Sequence, residues 1–192
     1  MGANAGHRSE AAAAAADPAP DRWIVLVGLM GAGKSAVGRA LGAMTGRAHV
    51  DADEEIERAA RASIAEIFAR DGERFFRARE AEIVGRVLAG PPGILSTGGG
   101  AWMSDEVRAA VSARGVSVWL RADLDTLWSR VKGRSHRPLL QGGDGRAVLR
   151  ELMAAREPRY AAADHAVDSR PDRGVQQTAE AVLRALRGEA AG

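Results

Sequence analysis

Five short strand-like runs alternate along the chain with longer stretches of helical periodicity. Trp23-Ile24-Val25-Leu26-Val27 contains no polar residue and stops at Gly28. A run that is apolar throughout, rather than at every second position, predicts a parallel strand covered on both faces. Residues 33–44 read as a helix, Ala48-His49-Val50-Asp51 as a short second strand, and residues 54–89 as two helical segments with a break at Asp71-Gly72. Ile94-Leu95-Ser96-Thr97 is a third strand, cut off by Gly98-Gly99-Gly100. Ser104 is placed to cap a helix whose first turn carries Asp105 and Glu106. Residues 116–120 predict a fourth strand and residues 123–131 a helix. Residues 132–145, rich in Gly, Arg and Pro, read as a mobile lid. Residues 146–157 are predicted helical with Pro158 as terminator, residues 166–168 as a short last strand, and residues 175–186 as a closing helix.

Strands alternating with helices predict an α/β fold in three layers, with a parallel sheet of about five strands and helices on both faces. At 192 residues the chain is long enough for one well-buried domain and too short for two ordinary ones. That domain is expected to span residues 22–187. The Ala-rich segment 1–21 reads as a disordered leader, and residues 188–192 as a flexible tail. The leader carries Glu10 and lacks the apolar centre of a secretory signal. No run approaches the roughly 18 apolar residues needed to cross a bilayer. A cytoplasmic protein with no membrane partner is expected.

Composition narrows the partners further. There is no Cys, which excludes disulfides and thiolate metal sites. Only 2 of the 27 basic residues are Lys, so the pI of about 9.6 reflects arginines that stay charged to high pH, while the formal charge is only +2. The arginines are dispersed, and three Phe and one Tyr offer few stacking platforms. No nucleic-acid partner is expected.

Gly28-Leu29-Met30-Gly31-Ala32-Gly33-Lys34-Ser35 satisfies the pattern G-x-x-x-x-G-K-[ST]. Its glycines let successive backbone N–H groups point at one phosphate, and the following helix presents its positive end to the anion. Lys34 would reach the β- and γ-phosphates, and the Ser35 hydroxyl would ligate Mg²⁺. The match lies where this mechanism needs it, between a buried strand and a helix, and takes one of the two lysines. A nucleotide is therefore the expected ligand, its phosphates cradled by Gly31, Ala32, Gly33, Lys34, Ser35 and the backbone of Ala36. Many such loops have a second Ser or Thr at the Ala36 position.

Three further groups of residues each admit two readings on their own. Asp51 and Asp53, two apart after the second strand, would project to one side of an extended segment. They could share metal binding and proton acceptance, or form an acidic helix N-cap. Arg77 and Glu80 are three apart on a helix and so are neighbours. Glu80 could hold the guanidinium for a carboxylate ligand, or the two could make a solvated ion pair. The triple glycine permits either close approach of a ligand or a flexible turn.

Taken together these segments resemble the shikimate kinase family over residues 23–186. The resemblance rests on the Gly28–Ser35 loop, the Asp51-x-Asp53 pair, and Ser63-Ile64-Ala65-Glu66-Ile67-Phe68 followed by Gly72-Glu73-Arg74-Phe75-Phe76-Arg77-Ala78-Arg79-Glu80. It continues through the triple glycine, Arg137-Pro138-Leu139-Leu140 and Arg156-x-Pro158-x-Tyr160. It implies a P-loop kinase fold with a mobile lid, phosphoryl transfer from ATP to shikimate, Mg²⁺ as cofactor, and a monomer. Asp53 would contact the ring hydroxyls and lie beside the one phosphorylated. Arg77 and Arg156 would bind the substrate carboxylate, and the Gly98-Gly99-Gly100 backbone, chiefly the Gly99 N–H, a hydroxyl. Ser35 and Asp51 would hold Mg²⁺, Asp51 through water. Catalysis would fall to Asp53, Lys34 and Arg137, with Arg137 closing from the lid, and Arg130 would lie on the adenine side. The segment Asp168-Ser169-Arg170-Pro171 departs from the family's adenine loop, leaving Arg170 and Arg173 as alternatives for the base. Trp102 is expected to pack near the site, and His136 to be a lid residue. The same fold also carries kinases for acids such as gluconate, and a non-catalytic nucleotide-binding regulator is the rival of another class.

Overall fold

The computed structural model describes residues 18–133 and 144–189. The uniformly apolar run Trp23–Val27 is strand β1, and it is buried along its whole length. It runs between two other strands in a five-stranded parallel sheet of order β2-β3-β1-β4-β5. Its partners are β3 (Ile94–Ser96) and β4 (Gly115–Arg121); β2 (His49–Asp51) and β5 (His165–Asp168) form the edges. Ile24 lies opposite Ile94 on one side and Val116 on the other. Both faces of β1 are covered, so every residue from Ile24 to Val27 is fully inaccessible.

The connection from β1 to β2, through helix α1 (Lys34–Thr45), runs towards one edge of the sheet. The connection from β3 to β4, through α4 (Asp105–Arg114), runs towards the other. Right-handed crossovers in opposite directions place their helices on opposite faces and open a crevice at the strands' carboxyl ends. Helix α1 buries Val37, Ala40 and Leu41, and α4 buries Val107 and Val111. After β4 come α5 (Leu124–Val131), α6 (Gly145–Tyr160), β5 and the amphipathic α7 (Val175–Leu186). No helix among the described residues is long and apolar enough to cross a membrane.

The region between β2 and β3 differs from the sequence expectation. Helix α2 (Ala52–Ala60) ends at Arg61, which takes a left-handed conformation at φ 50°, and α3 (Ile64–Leu88) begins three residues later. Ser63 caps α3 in a reciprocal capping box with Glu66, a signature legible in Ser63-x-x-Glu66. The expected interruption at Gly72 is present as a kink inside α3, with φ 81° and ψ 169°. These two helices pack through a small apolar cluster of Ile56, Ile67, Phe76 and Ile83, separate from the main core.

Two other boundaries move. Helix α6 runs through Pro158 to Tyr160 instead of stopping at residue 157. Proline lacks the N–H that would reach Ala154, but tertiary hydrogen bonds hold the final turn, as described below. Pro18–Asp21, assigned by composition to the leader, is tied to the domain: Arg47 Nη1 donates to the Ala19 carbonyl at 3.0 Å.

Candidate active site

The loop after β1 turns back on itself through Gly31 and Gly33, at φ 85° and 94°, a region costly for any residue with a Cβ. Gly33 is the N-cap of α1 and offers no side chain to the first-turn N–H groups, and that turn carries no acidic residue. The helix end is thus left to an external anion. Lys34 is buried and folds back across the loop, donating from Nζ to Gly28 O at 2.8 Å and Leu29 O at 3.1 Å. Ser35 Oγ donates to Asp51 Oδ2 at 2.5 Å. Arg130, reaching in from α5, donates from Nη1 to Gly31 O (3.2 Å) and Ser169 Oγ (2.8 Å), and from Nη2 to Arg170 O (3.3 Å). It joins the phosphate loop to the segment after β5. Arg170 itself pairs with Asp172 at the surface.

Asp51 ends β2 and is the N-cap of α2: its Oδ1 accepts from the Asp53 N–H at 3.0 Å. Asp53 therefore stands in the first helical turn, not on an extended segment. The two carboxylates are associated by a strand-to-helix turn, a correction to the alternation argument. The N-cap and ligand readings of Asp51 are compatible, since one oxygen caps the helix while the other meets Ser35. Among the described residues no group of three or more His, Asp and Glu could hold a metal ion. A Mg²⁺ that takes most of its ligands from phosphate and water fits the two adjacent oxygens of Ser35 and Asp51.

The triple glycine is the point where the other groups converge. A methyl group built on Gly98 would lie 2.7 Å from Asp53 Oδ1 and 2.5 Å from Glu80 Oε1; one on Gly100 would lie 2.6 Å from the Arg77 guanidinium. Arg156 Nη1 donates to Gly99 O at 3.0 Å. Arg77 Nη1 donates to Glu80 Oε2 at 2.6 Å and its guanidinium lies 5.0 Å from the Phe76 ring centroid. Glu80 is 2% exposed and its Oε1 has no hydrogen-bond partner. Burial raises its pKa, the Asp53 charge adds to this, and Arg77 opposes it. The solvated ion-pair reading of Arg77 and Glu80 fails on this burial. Finally, a methyl on Gly99 would lie 3.3 Å from the Met30 amide nitrogen, so the glycine loop abuts the phosphate loop.

The model of the family described as shikimate kinase matches residues 30–187. The chain belongs to the shikimate kinase family. A shikimate kinase of Ruegeria pomeroyi is 51% identical over 165 residues, covering 86% of this chain and 85% of that one. Another, from Cereibacter sphaeroides, is 53% identical over 165 residues, covering 86% and 82%. Among solved structures, shikimate kinase from Acinetobacter baumannii in complex with shikimate matches with a TM-score of 0.83 at 34% identity, covering 87% of this chain and 93% of that one.

Of the residues picked out from sequence, Asp53, Arg77, Arg156 and Gly98–Gly100 lie together, beside the Gly28–Ser35 loop. Arg137 and His136 lie outside the described residues. Trp102 is buried, as expected, and its Nε1 donates to Arg159 O at 2.9 Å. Sequence reasoning assigned no role to Tyr160, whose hydroxyl also donates to Gly99 O. The available signal was its position four residues after Arg156, one helical turn on.

Proposed function

We infer that this chain transfers the γ-phosphoryl group of ATP to the 3-hydroxyl of shikimate, giving shikimate 3-phosphate and ADP. The observation that carries this reading is the contact between Gly99 and Met30. Two guanidiniums and an aspartate gather on one side of it, and an open helix N-terminus with a lysine lies on the other. A ring acid with several hydroxyls needs cationic partners at its carboxylate and an acceptor at its far end, and this set supplies both.

In this reading Arg77 and Arg156 bind the carboxylate as paired forks, and Asp53 accepts a hydrogen bond from the reacting hydroxyl. As that oxygen bonds to the γ-phosphorus, the bond from phosphorus to the β–γ bridging oxygen breaks, ADP leaves, and the hydroxyl proton passes to Asp53. Lys34 exchanges its two carbonyl partners for phosphate oxygens and follows the charge that develops there. Bound Mg²⁺ supplies further charge neutralisation at the phosphates, and Ser35 and Asp51 are the side chains that would hold it. Phosphoryl transfer requires alignment more than covalent help, so these positioning roles suffice. A monomer acting in the cytoplasm completes the proposal.

A coupled assay of ADP release with shikimate, quinate or gluconate as acceptor tests the reading. Saturable release with shikimate, weaker with quinate and negligible with gluconate is expected. Release with gluconate equal to that with shikimate, or ATP binding without acceptor-dependent release, would refute it.

A further inference from the structure

Three glycines in succession cannot hold their own conformation, because none has a Cβ to restrict φ and ψ. In this loop the flanking carbonyls are fixed locally: Gly98 O accepts from the Ala101 N–H and Gly100 O from the Met103 N–H. The Gly99 carbonyl is fixed from a distance, by Arg156 Nη1 and the Tyr160 hydroxyl, both from the last turns of α6. A carbonyl has two lone pairs and can accept both. Arg156 is one of the two residues assigned above to the substrate carboxylate, so its grip on Gly99 and its grip on substrate compete for the same guanidinium. Tyr160 has no such duty to substrate, and its hydroxyl oxygen also accepts from the Arg156 side chain that it sits beside. Its ring is 1% exposed and stacks on Trp119 with centroids 6.0 Å apart. Burial pushes its hydroxyl pKa up to about 12, which keeps it a donor throughout the working range.

We propose that Tyr160 is a positioning residue for acid binding: it anchors the Gly99 peptide so that Arg156 can turn its remaining N–H groups to the substrate carboxylate without releasing the loop. The inference rests on the proposed shikimate site. It is supported by the packing around Tyr160, where Trp102 Nε1 ties the neighbouring Arg159 carbonyl to the segment immediately after the triple glycine. The end of α6 and the loop are thereby held as one body, with Tyr160 at the joint.

Tyr160→Phe removes the hydroxyl and keeps the ring. The expected result is a rise of threefold or more in the shikimate KM, with kcat and the ATP KM within twofold of the parent. A shikimate KM that rises by less than threefold, or shikimate and ATP constants that rise together, would overturn the proposal, since a purely structural role acts on both. Arg156→Ala, measured alongside, separates the two levels of the argument. If it leaves the shikimate KM unchanged, the carboxylate assignment itself has failed; if it raises KM and Tyr160→Phe does not, only the Tyr160 role has failed. Tyr160 is the single tyrosine of the chain, so 3-fluorotyrosine incorporation gives one fluorine resonance in the otherwise unaltered protein. That resonance should move on saturation with shikimate. Its remaining in place would count against the anchor even if the phenylalanine variant did not fold.

Discussion

Gly100→Ala should weaken acid binding while leaving the fold intact. Gly100 sits at φ −105° and ψ −16°, in the right-handed region open to any residue, so the substitution introduces no backbone strain. The new methyl would instead lie 2.6 Å from Cζ and both Nη atoms of Arg77. That guanidinium is the far end of a flexible side chain and will swing away, giving up its bond to Glu80 and its place beside the loop. The bond that Arg77 would make to the substrate carboxylate is lost with it, and a hydrogen bond to a charged partner contributes about 1.5–3 kcal/mol. Arg77 is 29% exposed, and the displaced guanidinium regains water, so the lower part of that range, about 1.5–2 kcal/mol, applies. At about 1.4 kcal/mol per decade the shikimate KM should rise roughly 10- to 30-fold. Alanine also restricts the unfolded chain, worth about 0.4–1 kcal/mol in favour of the variant, against the loss of the Arg77–Glu80 pair. The Tm should consequently stay within about 6 °C of the parent. Steady-state kinetics with shikimate varied at saturating ATP, together with a thermal melt, decide the matter. A KM raised less than threefold would refute the placement of Arg77 in the acid site. A fall in Tm beyond about 10 °C would refute the premise that the side chain, and not the backbone, gives way.

Asp53→Asn keeps the shape of the acceptor site and removes the base, so kcat should fall by about 10²- to 10⁴-fold with ATP affinity unchanged, as measured by nucleotide titration. Gly31→Ala meets both a positive φ and a Cβ position 2.8 Å from Val131 Cγ1; chemical denaturation should show a loss of about 1–3 kcal/mol, with weakened ATP binding. Glu80 has a pKa raised on folding, so the native state holds its proton more tightly than the unfolded chain does. The stability it contributes is present below its unfolded value near 4.5 and is lost as pH rises through the folded value. Glu80→Gln should therefore gain stability relative to the parent as pH increases from 4 towards 7 in denaturant titrations, and a parallel pH dependence in the two proteins would contradict this.

Much of this architecture can be read in the residues, where the chemistry is contiguous. The unbroken apolar run of β1 and the Gly28–Ser35 loop after it need no tertiary information, since the strand is buried on both faces and the anion is held by neighbours in sequence. The break at Arg61 was less visible because a left-handed conformation is unusual for arginine; the Ser63-x-x-Glu66 capping box was the better guide. Pro158 was misleading for the opposite reason. Local propensity ends the helix there, and bonds to a glycine far away in sequence continue it. Tyr160 escaped notice on the same account: its partner lies 61 positions earlier, a pairing that no periodicity encodes. The carboxylates Asp51 and Asp53 were chosen correctly as a neighbouring pair on a mistaken geometric ground, because a turn, not alternation, joins them.

The division of the apolar interior has an evolutionary consequence. Ile56, Ile67, Phe76 and Ile83 hold α2 and α3 together apart from the core beneath the nucleotide loop, and α3 carries Arg77. Val84 and Leu88 of α3 still belong to the main core, so it is the α2-facing side of α3 that can tolerate change semi-independently. Mutations accumulating in that minor cluster can retune which acid is recognised while the ATP cradle, set on β1 and α1, is inherited unaltered. A lineage could thus change its acceptor without rebuilding its engine.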